Sequence, residues 1–236
     1  MTNLLPNIFA SHIDKTAIQQ LPVTHFEGEV IIVDHPDMVN DAVNYLRQYT
    51  TLGVDTEARP SFKRGVHYPT ALVQVATLER CYLFRLTHVG MPKELADIFA
   101  DPNICKVGLA FKDDLNGLRR RRDFKPTNCI DLQSIVCKYG IMDLGLQKIF
   151  AIIFGKKISK AQQLTNWENS HLTQEQARYA STDAWATLSI YLALQKTKPL
   201  SKRQIDALKR AEKEAQILRQ QEAIARKNAA LAENQI

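Results

Sequence analysis

The stretch Leu52-Gly53-Val54-Asp55-Thr56-Glu57 begins apolar and ends in two carboxylates two residues apart. Side chains alternate along a strand, so Asp55 and Glu57 share one face while Val54 and Thr56 take the other. Two like charges at the end of a buried strand repel each other and lose solvation. A cation bound between them reverses that cost. Strand ends also carry Asp or Glu simply because they meet solvent, so this pair gains meaning only if the chain supplies further ligands.

Two other places do. Gly108-Leu109-Ala110-Phe111-Lys112-Asp113-Asp114-Leu115 runs a buried strand into a helix start, where acidic residues cap free N–H groups and suit the helix dipole. The doublet allows both uses, one carboxylate capping and one facing the sheet. Further on, Thr173-Gln174-Glu175-Gln176 opens a helix in capping-box style, and the helix carries Tyr179 and Asp183 one turn apart. Their companions Ala180, Ala184 and Ala186 are small enough for close approach to a sheet. An aspartate among alanines is out of place on a solvated face, although a core tyrosine with a surface Asp partner has the same pattern. Asp55, Glu57, Asp114 and Asp183 make an all-oxygen donor set, which suits Mg²⁺ or Mn²⁺ rather than zinc. Two such cations ~3.5–4 Å apart can clamp the attacking and leaving oxygens of an in-line phosphoryl displacement. The four carboxylates are expected to converge within metal-bridging reach.

The elements that must position them follow from hydrophobic pattern. Val30–Val33 is a brief buried strand, and His35-Pro36-Asp37 opens a helix with Val39, Val43 and Leu46 on one face. Thr51–Glu57, Thr70–Thr77 and Cys81–Leu86 read as strands whose short separations predict an antiparallel meander. Helices are expected over Pro92–Phe99, from Lys112–Asp114 onward, and over Leu132–Tyr139, Leu144–Phe154 and Gln174–Leu194. Strands are expected at Cys105–Phe111 and Asn128–Ile130. The fold class is α/β, a small mixed sheet flanked by helices. Three segments are expected: an arm over 1–27 with a helical turn or two around Asp14–Leu21, a main domain over 28–195, and a tail over 196–236. From Ser201 the tail is rich in Ala, Glu, Lys, Arg and Gln and lacks Gly and Pro, a strong helix former. Ile217, Ile224 and Leu231 fall seven apart among Ala and polar residues, so a lone amphipathic helix or a partly disordered tail is expected rather than a coiled coil.

Composition narrows the class. A chain of 236 residues with 45% hydrophobic content buries one substantial core. No apolar run approaches the ~18–20 residues that span a bilayer, and the N-terminus lacks the pattern of a secretory signal. Cys81, Cys105, Cys129 and Cys137 show no zinc-ligand spacing and suit free thiols in a reducing cytoplasm. The net charge is +6, yet residues 196–236 hold ten Lys/Arg against five Asp/Glu. The excess therefore sits in the tail, and the main domain is not a broadly basic nucleic-acid binder.

Asp55-Thr56-Glu57, the Val107-Gly108 strand leading to Asp114, and Tyr179-x-x-x-Asp183 resemble the three motifs of DEDDy 3′–5′ exonucleases, the ribonuclease D-like and Werner-type family. Leu72-Val73-Gln74-Val75-Ala76, Asp131-Leu132-Gln133 and Asn166-Trp167 are similar too, so the likeness spans about residues 28–195. It implies a ribonuclease H-like fold and two divalent cations. Asp55, Glu57 and Asp183 would hold one metal with the nucleophilic water beside it, and Asp55 would bridge to the second. Asp114 would act mainly through outer-sphere or metal-linked contacts. Tyr179 would orient the water, where some relatives use His. Ribonuclease D relatives carry helical nucleic-acid-binding domains after this one, and about 40 residues of tail are too few to form such a domain.

For the substrate, Arg59, Phe62, Lys63 and Arg64 follow the first motif and could meet the scissile strand, with Phe62 available for stacking. Arg119 and Arg120 belong to the run Arg119–Arg122, either a solvated surface or a phosphate-contacting edge. Lys156, Lys157 and Lys160 stand on the same footing, while Trp167 suits a packing anchor. The expected function is a metal-dependent 3′–5′ exonuclease that releases nucleoside 5′-monophosphates from single-stranded DNA or RNA ends, with no membrane and no obligate protein partner. The alternatives are a phosphodiesterase for short oligonucleotides and a nucleic-acid-binding scaffold without turnover.

Overall fold

The computed structural model describes residues 9–63 and 65–233. In chain order the elements are α1 (Lys15–Gln20), β1 (Glu29–Val33), α2 (Asp37–Leu46), β2 (Thr51–Ala58), β3 (Thr70–Ala76), β4 (Arg80–Arg85), α3 (Leu86–Val89), α4 (Lys93–Ala100), β5 (Cys105–Gly108), α5 (Phe111–Arg121), β6 (Cys129–Asp131), α6 (Leu132–Ile135), a 3₁₀ turn (Val136–Tyr139), α7 (Leu146–Phe154), α8 (Gln174–Gln195) and α9 (Lys202–Glu233). The strands form one mixed sheet in the order β1-β4-β3-β2-β5-β6. β2, β3 and β4 pair antiparallel as the short connections predict, while β1, β5 and β6 join in parallel.

Alternation along the central strands sorts the core into two layers. Leu52, Val54, Val73, Val75, Tyr82 and Phe84 pack with the apolar faces of α2 and α4. The opposite face carries Leu72, Ala76, Cys81 and Leu83, which meet Trp167, Tyr179, Ala180 and Ala184. Helix α8 crosses this second face against β2. Its closeness rests on small residues, because a Cβ at Gly53 would lie 2.1 Å from the Ala184 carbonyl oxygen. The Thr173/Gln176 capping box forms as expected and fixes where α8 starts.

Several boundaries differ from the sequence pattern. The predicted strand Cys105–Phe111 ends at Gly108, and the chain turns through Ala110 with φ of 53°. The Asp131 carboxylate stabilises that turn by accepting from the Ala110 and Phe111 amides, at 3.0 and 3.1 Å. It also accepts from Gln133 N at the start of α6, 3.0 Å away. The helix predicted over Leu132–Tyr139 splits, since its second half tightens to a 3₁₀ turn closed by Gly140 with φ of 88°.

The described N-terminal residues 11–26 are tied to the rest of the chain. Met142 donates to Ser11 O, Ile13 to the Asp143 carboxylate, and Phe26 to Thr182 Oγ1 on α8. At the other end α9 runs as one helix of 32 residues. Ile217 and Ile224 are exposed on it, and nothing is described of the Leu231 side chain. No described helix is long and apolar enough to cross a membrane.

Candidate active site

The carboxylates gather where β2 passes under α8. Asp55 and Glu57 emerge on the α8 face, and Asp183 descends from the helix onto them. Each of the three offers an oxygen, and these atoms lie within 4.8 Å of one another. Tyr179 stands one helical turn before Asp183 and shares a hydrogen bond with its carboxylate. The Tyr179 ring packs against the buried Trp167, with centroids 6.0 Å apart, so Trp167 acts as the packing anchor the sequence suggested. Arg85 buries its guanidinium and donates to the carbonyls of Asn169 and Ser170, which pins the loop leading into α8.

Asp114 stands apart from the three. It sits in the first turn of α5, and its Oδ1 accepts a hydrogen bond from Thr56 Oγ1. Thr56 alternates to the face away from Asp55 and Glu57, so the bond draws Asp114 to that side of β2. Three of the four predicted carboxylates therefore converge directly. The charge of Asp114 still reaches the others, for it raises the pKa of both Asp55 and Glu57.

Electrostatics mark the site as short of positive charge. Burial first, then Asp183, Glu57 and Asp114, hold the Asp55 carboxyl well above its ordinary range. Glu57 is pushed up to about 9 by burial and by the charges of Asp183 and Asp114. Asp183 rises to about 7 through burial, opposed by the Tyr179 hydrogen bond and by Lys160. Asp114 rises to about 6, again through burial, with the Thr56 bond working the other way. The Tyr179 hydroxyl is raised by burial and by the neighbouring carboxylates. A set of oxygen donors that repel one another in a partly desolvated recess fits a hard divalent cation, since such an ion converts each repulsion into an attraction.

The recess is a cleft of about 300 Å³ whose walls include Asp55, Glu57, Lys160, Gln163, Tyr179 and Asp183. Of the described residues weighed for substrate contact, Lys160 lines it, whereas Arg59, Phe62, Lys63, Arg119 and Arg120 do not. Arg59 lies over the Tyr68 ring at 4.8 Å and 3.7 Å from Glu168. Phe62 and Lys63 are exposed on the loop after β2, and Arg64 lies outside the described residues. Arg119 is exposed, 3.8 Å from Asp123, and Arg120 is exposed beside it. Their neighbours Arg121 and Arg122 instead donate to the carbonyls of Leu86 and Met91, which makes half of that run a structural brace. Of the lysines after α7, Lys157 is tied to the Gln19 carbonyl, whereas Lys160 faces the carboxylates. Spacing alone did not separate these two lysines, nor did it single out Gln163.

Residues 30–198 match the family model described as 3′–5′ exonuclease. The chain belongs to that family. It is 29% identical over 187 residues to the mouse protein named bifunctional 3′–5′ exonuclease/ATP-dependent helicase WRN, covering 74% of this chain and 13% of the relative. It is 28% identical over 184 residues to mouse exonuclease 3′–5′ domain-containing protein 2, covering 71% and 28%. The chain thus spans less than a third of the length of these relatives. Among solved structures, the Aedes aegypti Nibbler EXO domain superposes with a TM-score of 0.68 at 21% identity, over 79% of this chain and 99% of that one. Escherichia coli RNase D superposes with a TM-score of 0.65 at 23% identity, over 71% and 45%. The mixed sheet flanked by helices is the ribonuclease H-like fold of these exonucleases.

Proposed function

We propose that the chain is a divalent-metal-dependent nuclease that removes nucleotides one at a time from single-stranded 3′ ends and releases nucleoside 5′-monophosphates. The observation that carries this reading is the meeting of Asp55, Glu57 and Asp183 within 4.8 Å, beside a tyrosine hydroxyl, in a family of 3′–5′ exonucleases.

Asp55, Glu57 and Asp183 would hold one cation, Asp55 would share a second, and Asp114 would act on it from behind Thr56. Divalent ions bound there, Mg²⁺ or Mn²⁺, supply Lewis-acid charge that lowers the pKa of water and neutralises the transferring phosphate. Tyr179 keeps its proton, because its hydroxyl is raised among carboxylates. It therefore serves as a hydrogen-bond partner that orients the attacking water, and a phenol of pKa about 10 or higher is a poor base. Lys160 places a positive charge beside Asp183, where a substrate phosphate also needs one. Arg59, Phe62, Lys63 and Arg64 after β2, with Arg119 and Arg120 at the end of α5, would meet the strand outside the cleft. The four free cysteines agree with a reducing compartment such as the cytoplasm.

The test is digestion of 5′-labelled DNA and RNA oligonucleotides with Mg²⁺ or Mn²⁺, with and without chelator. Laddering from the 3′ end is expected, abolished by chelator and by Asp55→Ala. Binding without cleavage in either metal would favour a nucleic-acid scaffold, and cleavage confined to very short oligonucleotides a specialised phosphodiesterase.

A further inference from the structure

Gln74 is fully buried on β3, yet neither its amide nitrogen nor its amide oxygen has a hydrogen-bond partner. Interior amides are normally paired, because an unpaired one forfeits its solvation without return. Its position is specific. Gln74 is the antiparallel register partner of Asp55. Directly opposed residues project on the same face with Cβ atoms ~4.5–5.5 Å apart. Its other register partner, Leu83 on β4, is apolar and buried, as is Ala180 on α8. The Thr56 backbone N–H donates to Asp55, whereas neither amide atom of Gln74 reaches it. The charged acceptor directly across from the orphaned amide is therefore the Asp55 carboxylate.

We propose that Gln74 is a positioning residue for Asp55: its amide N–H₂ turns to donate to the Asp55 carboxylate in the metal-loaded site. The donor fixes which carboxylate oxygen faces the recess. It does so without bringing a positive charge that would compete with a metal. The inference rests on the metal-site reading given above.

Gln74→Met tests it, since methionine keeps the length and volume of the side chain and removes only the amide. Metal-free melting temperature, Mn²⁺ affinity by calorimetry, and kcat and KM on a single-stranded oligonucleotide are measured on the full chain. Mn²⁺ affinity is expected to fall about tenfold, as for loss of a group that orients a metal ligand. kcat should drop with little change in KM, while the metal-free protein melts at the same temperature or higher because a buried unpaired amide has gone. Mn²⁺ affinity and kcat within twofold of the parent overturn the proposal. A fall in melting temperature that accounts for lost activity also overturns it, by making the amide structural. Gln74→Leu, measured in parallel, guards against a peculiarity of methionine packing. A parent chain that neither binds Mn²⁺ nor cleaves would remove the metal-site reading and this inference together. An active parent with an equally active Gln74→Met removes only the inference.

Discussion

At the scale of single residues, the site is a set of carboxylates whose shifts all point upward: Asp114 to about 6, Asp183 to about 7 and Glu57 to about 9. The folded chain thus keeps protons that the unfolded chain releases near pH 4, the ordinary carboxyl range. For such groups stability is fully present below the unfolded pKa and is lost as pH rises through the folded values. The metal-free protein should therefore melt at progressively lower temperature as pH rises from about 4, the ordinary carboxyl range, to about 9, the highest of the three folded values. A saturating divalent cation should flatten that slope, because the ion replaces the protons. Melting curves across this range with chelator and with Mg²⁺ check it, and equal slopes would remove the carboxylates as the cause. The acidic doublet was legible in the sequence as two carboxylates with two uses. Thr56 decided the use of Asp114, because its hydroxyl captures that carboxylate from β2.

At the scale of elements, the site depends on how closely α8 lies on β2. Both Tyr179 and Asp183 ride on that helix, so a small lift displaces them together. Gly53→Ala places a methyl group where the Ala184 carbonyl oxygen already sits, 2.1 Å from an ideal Cβ. The change should destabilise the fold by about 1–3 kcal/mol, as overpacking does. It should also lower kcat by more than the unfolded fraction accounts for, since the remaining folded molecules carry a displaced Asp183. Urea denaturation compared with single-turnover cleavage separates the two effects. The alanines at 180 and 184 announced a close approach in the sequence, and the partner surface at Gly53 appears only with the sheet assembled. The Ala110 turn is a similar case. Its left-handed backbone at a non-glycine residue is held by Asp131, twenty-one residues later, which no local pattern reveals.

At the scale of the whole molecule, the N-terminal segment, α9 and the turn before α7 meet at His12. Its Nε2 lies 2.7 Å from Glu212 on α9, and its Nδ1 lies 3.5 Å from Asp143 on the domain. Leu200 N donates to Lys138 O just before α9 begins, so the first turns of the tail helix are seated on the body. Most of the net charge lies on this appendage rather than around the cleft. Deleting residues 201–236 should therefore weaken oligonucleotide affinity and flatten its dependence on salt, because fewer counterions are released on binding. Single-turnover cleavage at saturating substrate should be unchanged. Binding titrations at several salt concentrations check this, and an unaltered slope would exclude the tail from substrate binding.

The sequence by itself determined the ingredients: a buried strand ending in Asp55 and Glu57, a capped helix carrying Tyr179 and Asp183 one turn apart, and an alternation that put the first pair on one face. These are consequences of local periodicity and capping, and they survive into the fold because each involves residues within a turn or two of one another. Tertiary structure alone decided that three carboxylates converge while Asp114 lies behind Thr56. It also decided that Lys160 faces the cleft while Lys157 is spent on Gln19, and that Gln74 sits unpaired opposite Asp55. Each of those outcomes depends on which strands pair and in what register, and register is set by contacts between residues far apart in the chain.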